Sequence, residues 1–124
     1  MDLGVREIIT FISSGKDYAK SIGFYVDMGF GLEWSNHEIS SLKLGNCRFF
    51  LQNYPSEWMH GNFMMALEVE NVDDWWTKLS SLNLESKYEG VRLKAPQDYP
   101  WGKREIHLSD PNGVLWHISS DIRK

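Results

Sequence analysis

The sequence has a single cysteine, Cys47, and four prolines in 124 residues. A lone thiol excludes an intramolecular disulfide and any cysteine-rich zinc centre, so the fold must rest on an ordinary hydrophobic core. Ahead of the run RFFLQ, Cys47 is expected to be a small buried strand residue, and the compartment is expected to be reducing. Long apolar runs are missing too. Nowhere do the roughly eighteen apolar residues needed to cross a bilayer run together. The opening MDLGVREIITFISSGK has neither a basic start nor an unbroken hydrophobic stretch. The expectation is a soluble, cytoplasmic protein with no membrane partner. Positive charge is sparse, 13 Lys and Arg against 17 Asp and Glu, for a formal net charge of −4. The lysines and arginines are dispersed along the chain, with no more than two in a row, which excludes the basic stripe that a phosphate backbone demands. Nucleic acid is therefore not expected, and a cationic ligand is favoured.

What is present is a chain long enough to bury one core, patterned in two similar halves. VREIITFIS (residues 5–13) is rich in β-branched and aromatic residues and reads as a strand, followed by SGKD, which can turn and start a helix. Tyr18, Ile22, Tyr25 and Val26 then fall on one helical face, which Gly29 can end with a left-handed cap. Three strands follow, GLEWS, EISSLKL and CRFFLQN, the last two joined by the hairpin pair Gly45-Asn46. The second half repeats the plan. FMMALEVE reads as a strand, and Asn71 as the N-cap of a helix carrying Val72, Trp75, Trp76 and Leu79. SKYEGVRLK, REIHLS and VLWHIS supply three more strands, the last two joined by Asp110-Pro111-Asn112-Gly113. The hairpins SLKLGNCRFFLQ and EIHLSDPNGVLWHIS form a weak internal repeat, and no linker divides the halves. We expect one α+β domain over residues 1–124, with module one at about 1–55 and module two at about 62–124.

Two tandem βαβββ modules resemble the vicinal oxygen chelate superfamily, which includes glyoxalase I, extradiol dioxygenases and bleomycin-resistance proteins. The motifs carrying the resemblance are SIGFYVDMGF in the first helix and DPNGVLWHIS at the end. The block YPWGKREIHLSDPNGVLWHIS resembles the bleomycin-resistance branch in particular. The resemblance implies the glyoxalase/bleomycin resistance fold, a curved mixed sheet with a concave ligand crevice. In metal-dependent members of the superfamily it implies one ligand from the first and last strand of each module. Here those positions match Thr10 or a neighbour, Phe50 or a neighbour, Met64 and His117. His117 alone is of ligand type, so no metal and no cofactor are expected.

Other chemistry is equally thin. His107 alternates to the opposite strand face from Ile106 and Leu108, and His37 and His60 occupy polar loops. No two histidines stand at His-x-His or helical His-x₃-His spacing, and there is no Gly-x-Ser-x-Gly elbow or phosphate-cradling loop. Glu7, Glu33, Glu38, Glu57, Glu68 and Glu70 read as solvated carboxylates rather than bases. The conspicuous feature is six tryptophans, of which Trp34, Trp58 and Trp101 stand in or beside loops, while Trp75, Trp76 and Trp116 lie on periodic core segments. The bleomycin-resistance resemblance implies that Trp101 is one jaw of a clamp on a flat ring. The other jaw, a phenylalanine of the partner subunit, matches Ile39 here, with Trp34 nearby to take over the stacking. Glu33 and Glu38 suit a basic ligand. The reading favoured by the sequence is a homodimeric protein that sequesters bleomycin or a similar aromatic, basic metabolite through Trp101, Trp34, Ile39, Glu33, Glu38 and Trp58, with no catalytic residue. The alternatives are a metal-dependent lyase, isomerase or dioxygenase of the same superfamily, and an interaction module with no small ligand.

Overall fold

A computed structural model describes residues 2–122. In the first half, β1 (Phe11–Ser13) leads to α1 (Tyr18–Met28) and then to β2 (Gly31–Ser35), β3 (Ile39–Leu44) and β4 (Cys47–Gln52). The second half runs β5 (Met64–Glu68), α2 (Val72–Ser80), a short α3 (Leu84–Lys87), β6 (Arg92–Asp98), β7 (Lys103–Ser109) and β8 (Leu115–Asp121). The eight strands form two four-stranded mixed sheets, ordered β1-β4-β3-β2 and β5-β8-β7-β6. In each, the first strand lies parallel to the last and the other neighbours are antiparallel. Neither sheet closes into a barrel, and among the described residues no helix is long and apolar enough to cross a membrane.

Local chemistry sets these elements. Asp17 caps α1 by accepting from Lys20 N, and Gly29, at φ 127, ends it with its N–H on the Tyr25 and Val26 carbonyls. Asn71 caps α2 by accepting from the N–H groups of Asp73 and Asp74, acidic residues that also suit the positive helix end. One core runs through both halves, with Ile12, Phe24, Leu42 and Leu51 from the first and Leu79, Ile106, Leu108 and Ile118 from the second. Its centre is aromatic: Tyr25 packs edge-on against Phe24, Phe30, Phe49 and Trp116. The buried Tyr25 hydroxyl donates to Asp110 and accepts from Trp116 Nε1, so one polar chain ties helix α1 to the β7–β8 turn.

Several sequence expectations are corrected. The first strand begins only at Phe11, and residues 2–10 lie outside it, although Thr10 O still accepts from Phe50 N of β4. The helix face differs as well. Phe24 and Met28 are fully buried, whereas Val26 is 45% exposed, because the stripe facing the sheets is centred on residues 21, 24, 25 and 28. Cys47 is exposed, since it starts β4 beside the Gly45-Asn46 turn and falls short of the core. SKYEGVRLK is not one strand: its start belongs to α3, and β6 begins at Arg92.

Candidate functional site

Residues directly opposite one another on paired strands share a sheet face, so the registers identify what each sheet presents away from the core. On the first sheet, the row Trp34, Ser41, Phe50, Phe11 crosses all four strands. On the second, the corresponding row is Ala66, His117, His107, Lys94. Both rows lie opposite the faces that carry the buried core residues Leu42, Leu51, Ile106 and Ile118.

The tight connection from β6 to β7 supplies the aromatic wall of the second sheet. Gly102 N donates to the Tyr99 carbonyl, with Pro100 second and Gly102, at φ 88, last. Proline presets the turn's backbone angle and glycine takes the left-handed position that closes it, which is the physical content of the YPWG motif. The turn stacks Trp101 on Tyr99, with ring centroids 4.7 Å apart and planes 16° from parallel. Tyr99 in turn lies 5.3 Å from the His107 ring, at 21°. The indole edge is held as well, because Trp101 Nε1 donates to Glu105 Oε2 at 3.0 Å. Trp101 still exposes 63% of its surface.

Glu105 is the centre of this arrangement and is only 6% exposed. Its other oxygen, Oε1, lies 2.9 Å from His107 Nε2 and 3.1 Å from His117 Nδ1. The two imidazoles meet edge to face, 4.6 Å between centroids. Burial would raise the Glu105 carboxyl, but the hydrogen bonds from Trp101, His107 and His117, with the charge attraction of His117, outweigh it and hold the group at about 2. His117 Nε2 also faces the Met64 sulfur at 3.3 Å. His107 and His117, which stand at no metal-ligand spacing in the sequence, are cross-strand partners, and the carboxylate between them, Glu105, was missed. Two sequence signals point to it. Alternation in Glu105-Ile106-His107 puts the outer two residues on one face, and a hairpin turn at 110–113 sets 107 opposite 117.

The first sheet is built differently. Trp34 packs edge-on against Phe50, and Phe50 against Phe11. A register shift between Leu32 and Trp34 accompanies Glu33, whose Oε1 accepts from Ser41 Oγ at 2.7 Å and from Arg48 Nη1 at 3.0 Å. Ile39 opens β3 opposite Gln52, on the same face as Ser41. Glu38 sits at the exposed rim beside His37, 3.7 Å away. Trp58 is exposed in the loop between β4 and β5, where its carbonyl accepts from Asn62. Among the described residues no ring contact joins Trp34 or Trp58 to Trp101. A cleft of about 610 Å³ lies elsewhere, between residues 14–20, the 55–57 loop and Pro111-Asn112. Its lining is charged loop and carries none of the stacked rings.

The model of the Glyoxalase/Bleomycin resistance protein/Dioxygenase superfamily matches residues 9–118. The chain belongs to that superfamily. No curated protein matches it. Among solved structures, the bleomycin resistance determinant encoded on transposon Tn5 is 20% identical with a TM-score of 0.80, covering 96% of this chain and 100% of its own. A bleomycin-binding protein from Streptomyces verticillus, complexed with copper(II)-bleomycin, is 17% identical with a TM-score of 0.73, covering 95% and 99%. The lactoylglutathione lyase of Agrobacterium tumefaciens is 15% identical with a TM-score of 0.70, covering 94% and 95%. At these identities the likenesses establish the fold that binding proteins and a lyase share.

The superfamily resemblance marks Thr10, Phe50, Met64 and His117, and the structure gives each a particular setting. The Thr10 carbonyl accepts from Phe50 N at 2.9 Å, and the Phe50 ring is engaged with Phe11 and Trp34. Met64 and His117 do meet, thioether to imidazole. Within this superfamily member the carboxylate and second imidazole beside His117 come from β7 instead.

Proposed function

We propose that this protein is a cytoplasmic homodimer that sequesters an aromatic, basic small molecule, bleomycin or a related metabolite, without chemistry. The observation carrying the reading is Trp101, with one indole face on Tyr99, the edge tied to Glu105 and most of the ring open. A ring held on one face and one edge, with its other face open, is a preorganised stacking surface. A flat heteroaromatic group laid on it gains about 1 kcal/mol beyond its area burial. Glu38 at the exposed rim supplies negative charge for a basic substituent, with Glu33, already paired to Arg48, and Trp34, Ile39 and Trp58 as the remaining ligand contacts.

The second copy is supported by what one chain leaves uncovered. Phe11 and Trp34 are exposed on the first sheet, and Leu3, Val5 and Ile8 are exposed in the segment before it. An apolar row continued by exposed apolar residues of the segment before β1 is surface that a monomer rarely presents. Under a twofold axis, Trp101 of one chain faces the Trp34–Ile39 segment of the other, giving two equivalent crevices. The test is fluorescence titration with metal-free bleomycin, which should quench tryptophan emission saturably. No quenching at millimolar drug removes bleomycin as the ligand.

A further inference from the structure

We infer that Glu105, His107 and His117 form a binding site for one divalent transition-metal ion on the open face of the second sheet. Their donor atoms, Oε1, Nε2 and Nδ1, lie within 4.8 Å of one another, and the carboxylate oxygen is 2.9 and 3.1 Å from the two nitrogens. Around a tetrahedral ion with bonds of about 2.0–2.1 Å, neighbouring donors stand about 3.3 Å apart, so both oxygen–nitrogen spacings are already near the required value. Two imidazoles turned onto one oxygen also exceed what a hydrogen-bonded strand histidine needs, which is a single partner. Two imidazoles and one carboxylate suit zinc, nickel, copper or ferrous iron over calcium or magnesium, which prefer oxygen ligands.

The surroundings fit an ion that stays reachable. The two histidine side chains are 22% and 25% exposed, leaving a coordination position toward the open face. Trp101 Nε1 fixes the carboxylate through its other oxygen, the kind of outer contact that orients metal ligands. Tyr99 holds the His107 ring by stacking. His117 has the Met64 sulfur 3.3 Å from its remaining nitrogen, so an Nε2–H can be held there when a metal replaces the proton that Nδ1 shares with Glu105. Two of the three ligands lie on β7, outside the positions that the family resemblance marks, and only His117 is shared.

The experiment is a titration of the full chain with zinc alone, by calorimetry, with imidazole nitrogen NMR read in parallel. One equivalent should bind, shifting the ring signals of His107 and His117 while those of His37 and His60 stay in place. His107→Gln and Glu105→Gln should each weaken binding at least tenfold. Absence of stoichiometric binding at millimolar zinc, unchanged affinity in both variants, or shifts confined to His37 and His60 would each overturn the site. The NMR readout needs no variant, so a substitution that fails to fold leaves the test intact. No aromatic ligand is present, so failure here and failure of the stacking proposal are told apart.

Discussion

A carboxylate that is 6% exposed normally resists ionisation, yet Glu105 has donors on both oxygens and is held at about 2. The folded value lies below the ordinary 4.5, so its stabilising contribution is present above pH 4.5 and is lost as pH falls through about 2. Glu105→Gln should accordingly lower stability by about 2 kcal/mol at pH 7, because the amide turns a donor toward groups that need an acceptor. Urea unfolding at pH 7 and near pH 2 is the check, and the gap between variant and parent should close at the lower pH. Trp101 is linked to the same group. Trp101→Phe keeps a stacking face but frees Glu105 Oε2, whereas Trp101→Ala removes both, so affinity for an aromatic ligand should fall in that order. Equal losses in the two variants, measured by fluorescence or calorimetry, would make the indole N–H, and not the ring face, the contributor. At this scale the sequence displayed Trp101 and hid Glu105. A loop tryptophan is conspicuous by its type, but one glutamate among many is distinguished only by burial, which the strand pairing creates.

Among the elements, the β7–β8 turn is the one whose chemistry reaches furthest into the core. Asp110 accepts from Asn112 N and Val114 N, closing the turn, and from the Tyr25 hydroxyl. Burial raises its carboxyl to about 6 despite those hydrogen bonds and the charge attraction of His60. The sign is opposite to that of Glu105. A raised folded value means a contribution fully present below the ordinary 3.8 and lost as pH rises through about 6. The protein should therefore gain stability as pH is lowered from 7 to 5, before the losses from Glu105 begin, and Asp110→Asn should abolish that gain. Urea unfolding at the two pH values decides it. The turn itself was legible, because Asp-Pro-Asn-Gly has a backbone meaning at each position. Both hairpins and both helix caps were legible for the same local reason. The ends of the elements were not. Residues 5–10 carry strand propensity without entering the ladder that begins at Phe11, and the boundary between α3 and β6 depends on packing that no local pattern encodes.

For the molecule as a whole, one chain leaves exposed apolar residues on the first sheet and on the segment leading to it. Val5 and Ile8 are β-branched residues at 83% and 92% exposure, in an arm held to its own chain by the Glu7–Arg48 ion pair at 2.8 Å. If a second copy covers this surface, site and assembly share one equilibrium. Dilution should then lower ligand affinity and thermal stability together, since each crevice takes a wall from each chain. Ligand at a hundredfold excess over its Kd should stabilise the folded dimer by about 2.7 kcal/mol per site and oppose dissociation on dilution. Removing residues 2–9 should leave the hairpins and their shared core intact, because β1 pairs only from Phe11. That truncation should nonetheless weaken association and ligand binding in parallel. Light scattering combined with calorimetric titration of the parent and truncated chains measures both. A monomeric truncated chain that still binds at full affinity would place the whole site within one chain, on the Trp101 wall alone.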